Sequence, residues 1–119
     1  MGAKVAAGQV LDTHALIWWW AEPERLSPRV LGLIRESDSE VYVSAASAWE
    51  IATKHRVGKL PSGGPMLAAW NKGLALDRFR ELAISSRHAA RAGLLAGEHR
   101  DPFDRMLAVQ SLEKWELGA

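Results

Sequence analysis

Three short runs of strand-forming residues, Gln9-Val10-Leu11-Asp12, Val41-Tyr42-Val43 and 81–85, alternate with stretches that carry helical signals. Strands separated by helical crossovers pair in parallel, and a parallel sheet needs helices over both faces. The expected fold is therefore α/β, a central parallel sheet covered by helices in a three-layer sandwich. A chain of 119 residues suffices for one ordinary core, so residues 1–119 are read as a single domain. In such sheets ligands bind beyond the carboxyl ends of the strands. Attention therefore falls on the residues after Leu11, Val43 and Ile84.

Local punctuation places the helices. Residues 13–21 follow the first strand directly. Ser27-Pro28 supplies an N-cap and a first-position proline, opening a helix that stops at 37–39. Residues 45–57 read as helix, with Gly58 placed to end it. Residues 61–65 are the clearest loop, and 66–76, 87–96 and 102–115 are further helices. Trp18-Trp19-Trp20 is a constraint of its own. Three consecutive helical side chains sweep ~200°, whereas one apolar stripe is little more than ~100° wide. At least one ring is expected to be exposed or covered by a second chain, so the three form a candidate partner surface.

Composition removes several function classes. Lys and Arg total 15 against 14 Asp and Glu, a net charge of +1, which argues against a binder held mainly by bulk charge. No cysteine is present, which excludes disulfides, thiolate metal sites and cysteine nucleophiles together. The longest strongly apolar stretch, 15–21, is far short of the ~20 residues of a membrane helix, and residues 1–8 lack an apolar targeting core. A soluble, cytoplasmic protein with no membrane partner is expected. Glycine-rich phosphate loops, dinucleotide fingerprints and His-Glu-x-x-His helices do not occur.

What remains is acidic. Asp12 ends the first strand, where aspartate usually caps a helix. Glu50 completes a capping-box pattern with Ser47, but a helix begun at Ala45 under a Ser44 cap would place Glu50 nearly two turns in. Asp101-Pro102-Phe103-Asp104 reads as an N-cap, a first-position proline and a first-turn acid. Taken together, Asp12 and Glu50 share one sheet edge, and Asp104 starts a helix able to border it. Converging carboxylates either bind protons or recruit a cation, and hard oxygen donors suit Mg²⁺ or Mn²⁺.

Leu11-Asp12-Thr13-His14-Ala15-Leu16-Ile17-Trp18 resembles the opening motif of PIN domains, specifically the VapC-like toxins of toxin–antitoxin pairs. Val43-Ser44-Ala45-Ala46-Ser47-Ala48-Trp49-Glu50-Ile51-Ala52 resembles their second motif, and His99-Arg100-Asp101-Pro102-Phe103-Asp104-Arg105-Met106-Leu107-Ala108 their third. The resemblance implies a PIN-like sandwich and an endoribonuclease dependent on Mg²⁺ or Mn²⁺. It also implies inhibition by a cognate antitoxin, and homodimer formation. Asp12, Glu50 and Asp104 match the metal-centre acids. Thr13 matches a polar position able to hold a metal-bound water, and Asp101 an auxiliary acid. In the expected chemistry Asp12 and Asp104 bind the cation, while Glu50 binds a second one or orients the attacking water. His99, Arg100 and Arg105 are candidate RNA phosphate contacts, beside a reading as solvated surface charge. His14 is read as a packing histidine rather than a base.

The family pattern continues after the last helix into a fourth strand of the Leu-Val-Thr-x-Asp type. This sequence reaches Trp115-Glu116-Leu117-Gly118-Ala119 there. The expectation is a PIN-like domain with its last strand missing, truncated at the C-terminus and reduced in activity. A non-catalytic PIN-like protein that binds antitoxin or RNA is the rival reading.

Overall fold

The computed structural model describes residues 9–36, 40–97 and 101–118. Strand β1 (Gln9–Val10) leads into helix α1 (Thr13–Ala21), then a 3-10 turn (Pro23–Arg25) and α2 (Pro28–Arg35). Strand β2 (Val41–Ser44) is followed by α3 (Ala45–Arg56), α4 (Gly63–Ala68) and α5 (Trp70–Leu76). Strand β3 (Arg80–Leu82), α6 (Ser86–Leu94) and α7 (Pro102–Gly118) complete the order. The strands form one parallel sheet in the order β1-β2-β3, with Val10 opposite Tyr42 and Val43 opposite Glu81. The described residues contain no fourth strand, and no described helix is long and apolar enough to cross a membrane.

Alternation along β2 divides the core. Val41 and Val43 point to one face, where they pack with Leu16, Ile17, Ile51, Leu74 and Phe79. Tyr42 points to the other, where the Lys114 ammonium of α7 lies 3.9 Å from its ring centroid. A second apolar cluster, Ala46, Ala92, Met106 and Val109, joins α3, α6 and α7. Helix α3 belongs to both clusters, through Ile51 and Ala46.

Three expectations need correction. Residues 61–65 are not all loop, because Gly63, Gly64 and Pro65 form the first turn of α4. Proline is harmless there, since first-turn amides have no intrahelical acceptor. Gly63 is required by proximity: a Cβ at this position would stand 2.9 Å from the His55 Cβ on α3. The expected 66–76 helix is broken at Ala69 into α4 and α5. The third strand lies earlier than 81–85, because Arg78 turns the chain at φ 59° and Phe79 is drawn into the core. Ile84 then packs beneath the second cluster, and Ser85 caps α6 in a capping box with His88.

The tryptophan triplet also departs from expectation. None of Trp18, Trp19 and Trp20 is exposed. Trp18 lies under the Arg25 guanidinium, Trp19 tilts against Phe79, and Trp20 meets Trp70 edge to face while its indole N–H donates to Asp77 at 2.9 Å. A single packing face would leave part of such a sweep uncovered. Helix α1 is instead flanked on several sides, by the 3-10 turn, by α5 and by the turn before β3, so a partner surface at these rings loses its basis.

On the far flank of α7, Glu113 is buried and accepts from Arg87 at 2.9 Å and Arg91 at 3.2 Å. The Arg87 hydrogen bond outweighs desolvation and, with Arg91 and His88, holds this carboxyl below the usual glutamate range. This network ties α6 to α7, the helix that carries Asp104.

Candidate active site

Each acid is placed by a local rule already legible in the sequence. Asp12 is the N-cap of α1, its carboxylate accepting from the His14 backbone N–H at 3.2 Å. Ser44 caps α3 by accepting from the Ala46 N–H at 2.9 Å, so the earlier helix start is the one realised. Glu50 consequently sits inside α3, and only 3% of it is exposed. Asp101 caps α7, accepting from the Asp104 N–H at 2.8 Å, which fixes the first turn and orients Asp104. Capping is the role the geometry gives Asp101.

These elements bring the three acids into one electrostatic neighbourhood. Partial desolvation raises the Asp104 carboxyl above the usual aspartate range, and the negative charges of Asp101, Glu50 and Asp12 raise it further. His14 opposes them. Convergence stops short of a ready-made cage: among the described residues, no three His, Asp or Glu side chains are gathered to hold a metal. A cationic side chain already stands against one of the acids. The Lys54 ammonium stands 2.8 Å from the Glu50 carboxylate, one turn along α3, and 3.4 Å from the His14 Nε2. Its positive charge compensates the buried Glu50, while Asp104 is left with neighbouring negative charge. The donor set is all oxygen and carries excess negative charge, which fits a hard divalent cation.

Thr13, the polar residue beside Asp12, is bonded across to α3. The Thr13 hydroxyl is buried and shares a 2.8 Å hydrogen bond with the buried Ser47 hydroxyl, clamping α1 to α3 beneath the acids. Thr13→Val is expected to leave the Ser47 hydroxyl without that partner and to lower stability by ~1–3 kcal/mol in urea unfolding. The Arg105 guanidinium donates to the carbonyls of Ala92, Leu95 and Gly97, closing the C-terminal end of α6. An RNA phosphate at Arg105 would compete with those bonds. His99 and Arg100 lie outside the described residues. One side chain that touches Glu50 and His14 has no counterpart in the sequence reading. Lys54 was legible as the i+4 partner of Glu50.

The PIN domain family model matches residues 10–114. The chain belongs to the PIN domain family. Ribonuclease VapC22 of Mycobacterium tuberculosis is 34% identical to it over 110 residues, which cover 91% of this chain and 82% of that protein. No solved structure matches the chain. Within the PIN match fall all three acids, Thr13, Lys54 and the cap residue Asp101. The expected α/β arrangement is the one observed, with Asp12 just beyond β1, Glu50 within α3 and Asp104 in the first turn of α7.

Proposed function

We propose that this PIN-domain protein is a toxin of the VapC type, an endoribonuclease that hydrolyses RNA phosphodiester bonds with Mg²⁺ or Mn²⁺. The observation that carries this reading is the arrangement of Asp12 at the N-cap of α1, Glu50 buried within α3 and Asp104 in the first turn of α7, whose carboxyl is raised by partial desolvation and then by the charges of Asp101, Glu50 and Asp12. The ribonuclease named above, similar over most of the chain, supports it. Asp12 and Asp104 would hold the cation, with Glu50 joining them when it leaves Lys54. A bound divalent ion supplies an activated water and stabilises charge on the phosphoryl oxygens.

The protein's own residues do the rest. Asp101 and Asp12, as helix caps, fix the backbone beneath two of the acids. The Thr13–Ser47 bond holds the helices bearing Asp12 and Glu50 at a constant separation. The Lys54 ammonium neutralises Glu50 and is free to meet a substrate phosphate when Glu50 turns away. A cognate antitoxin, homodimer formation and a cytoplasmic location without membrane attachment belong to the same proposal. The decisive measurement is cleavage of a mixed RNA pool. Cleavage that needs Mg²⁺ or Mn²⁺ and disappears in Asp12→Asn is expected. A protein that binds RNA or an antitoxin and leaves the pool intact with either metal would establish the non-catalytic reading.

A further inference from the structure

Beside each of two acids stands an aromatic ring that the acid chemistry does not use. Trp49 precedes Glu50 on α3, and Phe103 precedes Asp104 on α7. The two rings meet across the seam between those helices, with centroids 4.8 Å apart and planes at 83°. Adjacent helical residues project ~100° apart. The seam therefore turns carboxylates one way and rings another, from the same two backbone segments. Trp49 is 57% exposed, whereas Glu50 beside it is buried. An indole left this open contributes little to the core. Its edge-to-face contact with Phe103 limits its rotation while leaving aromatic face open to solvent.

We propose that Trp49, braced by Phe103, is a stacking site for an unpaired nucleobase next to the scissile phosphate. The inference rests on the nuclease reading, and it adds a residue that would contact a base. Bases are available for stacking on aromatic side chains in single strands, loops and bulges, not in the interior of an A-form helix. An open indole face next in sequence to Glu50 is therefore available to a base that is not paired. It also tolerates any base, because every base has a π-face. Continuity favours RNA over a protein occupant: the two rings immediately precede Glu50 on α3 and Asp104 on α7.

The test uses the full chain and short fluorescent single-stranded RNAs, one series carrying an abasic nucleotide at each position in turn. Binding is measured on the Asp12→Asn background with Mg²⁺, and steady-state cleavage on the otherwise unaltered chain. Trp49→Ala is expected to weaken binding and raise KM at least fivefold, equivalent to ~1 kcal/mol, with kcat little changed. Trp49→Phe should restore most of the loss. One abasic position should weaken the parent protein and leave Trp49→Ala indifferent. Equal binding and KM for Trp49→Ala, with cleavage intact in the parent, would overturn the stacking site alone. A parent that neither binds nor cuts RNA would overturn the nuclease reading and this inference with it. A change confined to oligomeric state by light scattering would assign Trp49 to contact with a second copy and overturn the proposal. Melting curves establish that each variant is folded.

Discussion

Asp104→Asn is expected to abolish RNA cleavage and at the same time to make the metal-free protein more stable. The two effects have one cause. Ionised Asp104 is partly desolvated and faces Asp101, Glu50 and Asp12, so its native pKa lies above the usual value. A carboxyl with a raised native pKa binds its proton more tightly folded than unfolded. Its ionisation therefore costs stability, and that cost sets in as pH rises from the ordinary aspartate value through the native one. At neutral pH the cost is fully present, and asparagine removes it. Because Asp104 is solvent-accessible, the gain in melting temperature is small. The loss of activity is large. Removing outer-shell partners of a metal ligand typically costs ~10–100-fold, and a direct ligand costs more. Melting curves at neutral pH without metal, paired with cleavage rates in Mn²⁺, check both halves. A stability curve for Asp104→Asn that keeps the parent's slope in the aspartate range would show that the repulsion is not centred on this residue.

Lys54→Met is expected to lower stability in the presence of a chelator by ~1–3 kcal/mol, because it leaves the Glu50 carboxylate buried without its 2.8 Å partner. The linked effect is the more informative one. A divalent cation that binds the folded state raises stability according to its affinity. With Lys54 gone, the cation no longer competes with an ammonium for Glu50. Mn²⁺ should therefore raise the melting temperature of Lys54→Met more than that of the parent, and titration calorimetry should show tighter binding. Lys54→Arg, which keeps the charge, should behave like the parent. Equal metal-induced shifts in all three proteins would mean that Lys54 and the cation do not share Glu50.

The parts of the site that obey local rules were readable before the fold. Asp12, Ser27 and Asp101 all cap the helices that their sequence contexts suggested. Glu50 was ambiguous between two caps, and the choice went to Ser44 because the helix could start at Ala45 and bury Ala46. What was not readable depends on neighbours remote in sequence. Gly63-Gly64-Pro65 looks like loop until α3 offers a surface that only glycine can approach. The tryptophan triplet looks too wide for one stripe until Arg25, Phe79 and Trp70 arrive from three directions. Arg105 looks like a phosphate ligand beside an acid until the end of α6 presents its carbonyls.

The two apolar clusters have a consequence for how this protein loses function on warming. Asp12 sits on the sheet side, with the cluster around Leu16 and Val43, while Asp104 rides on α7 with Met106 and Val109. Such units can open separately, each with its own free energy below that of global unfolding. Release of the α6–α7 unit would carry Asp104 away from Asp12 and leave β1, β2 and α1 in place. Catalytic competence is then a property of the junction, not of either half. In native-state hydrogen exchange, the amides of α6 and α7 should open together and with less protection than those of β2 and α1. Cleavage should fade with that first opening, at temperatures where the far-ultraviolet circular dichroism of the sheet side is still intact.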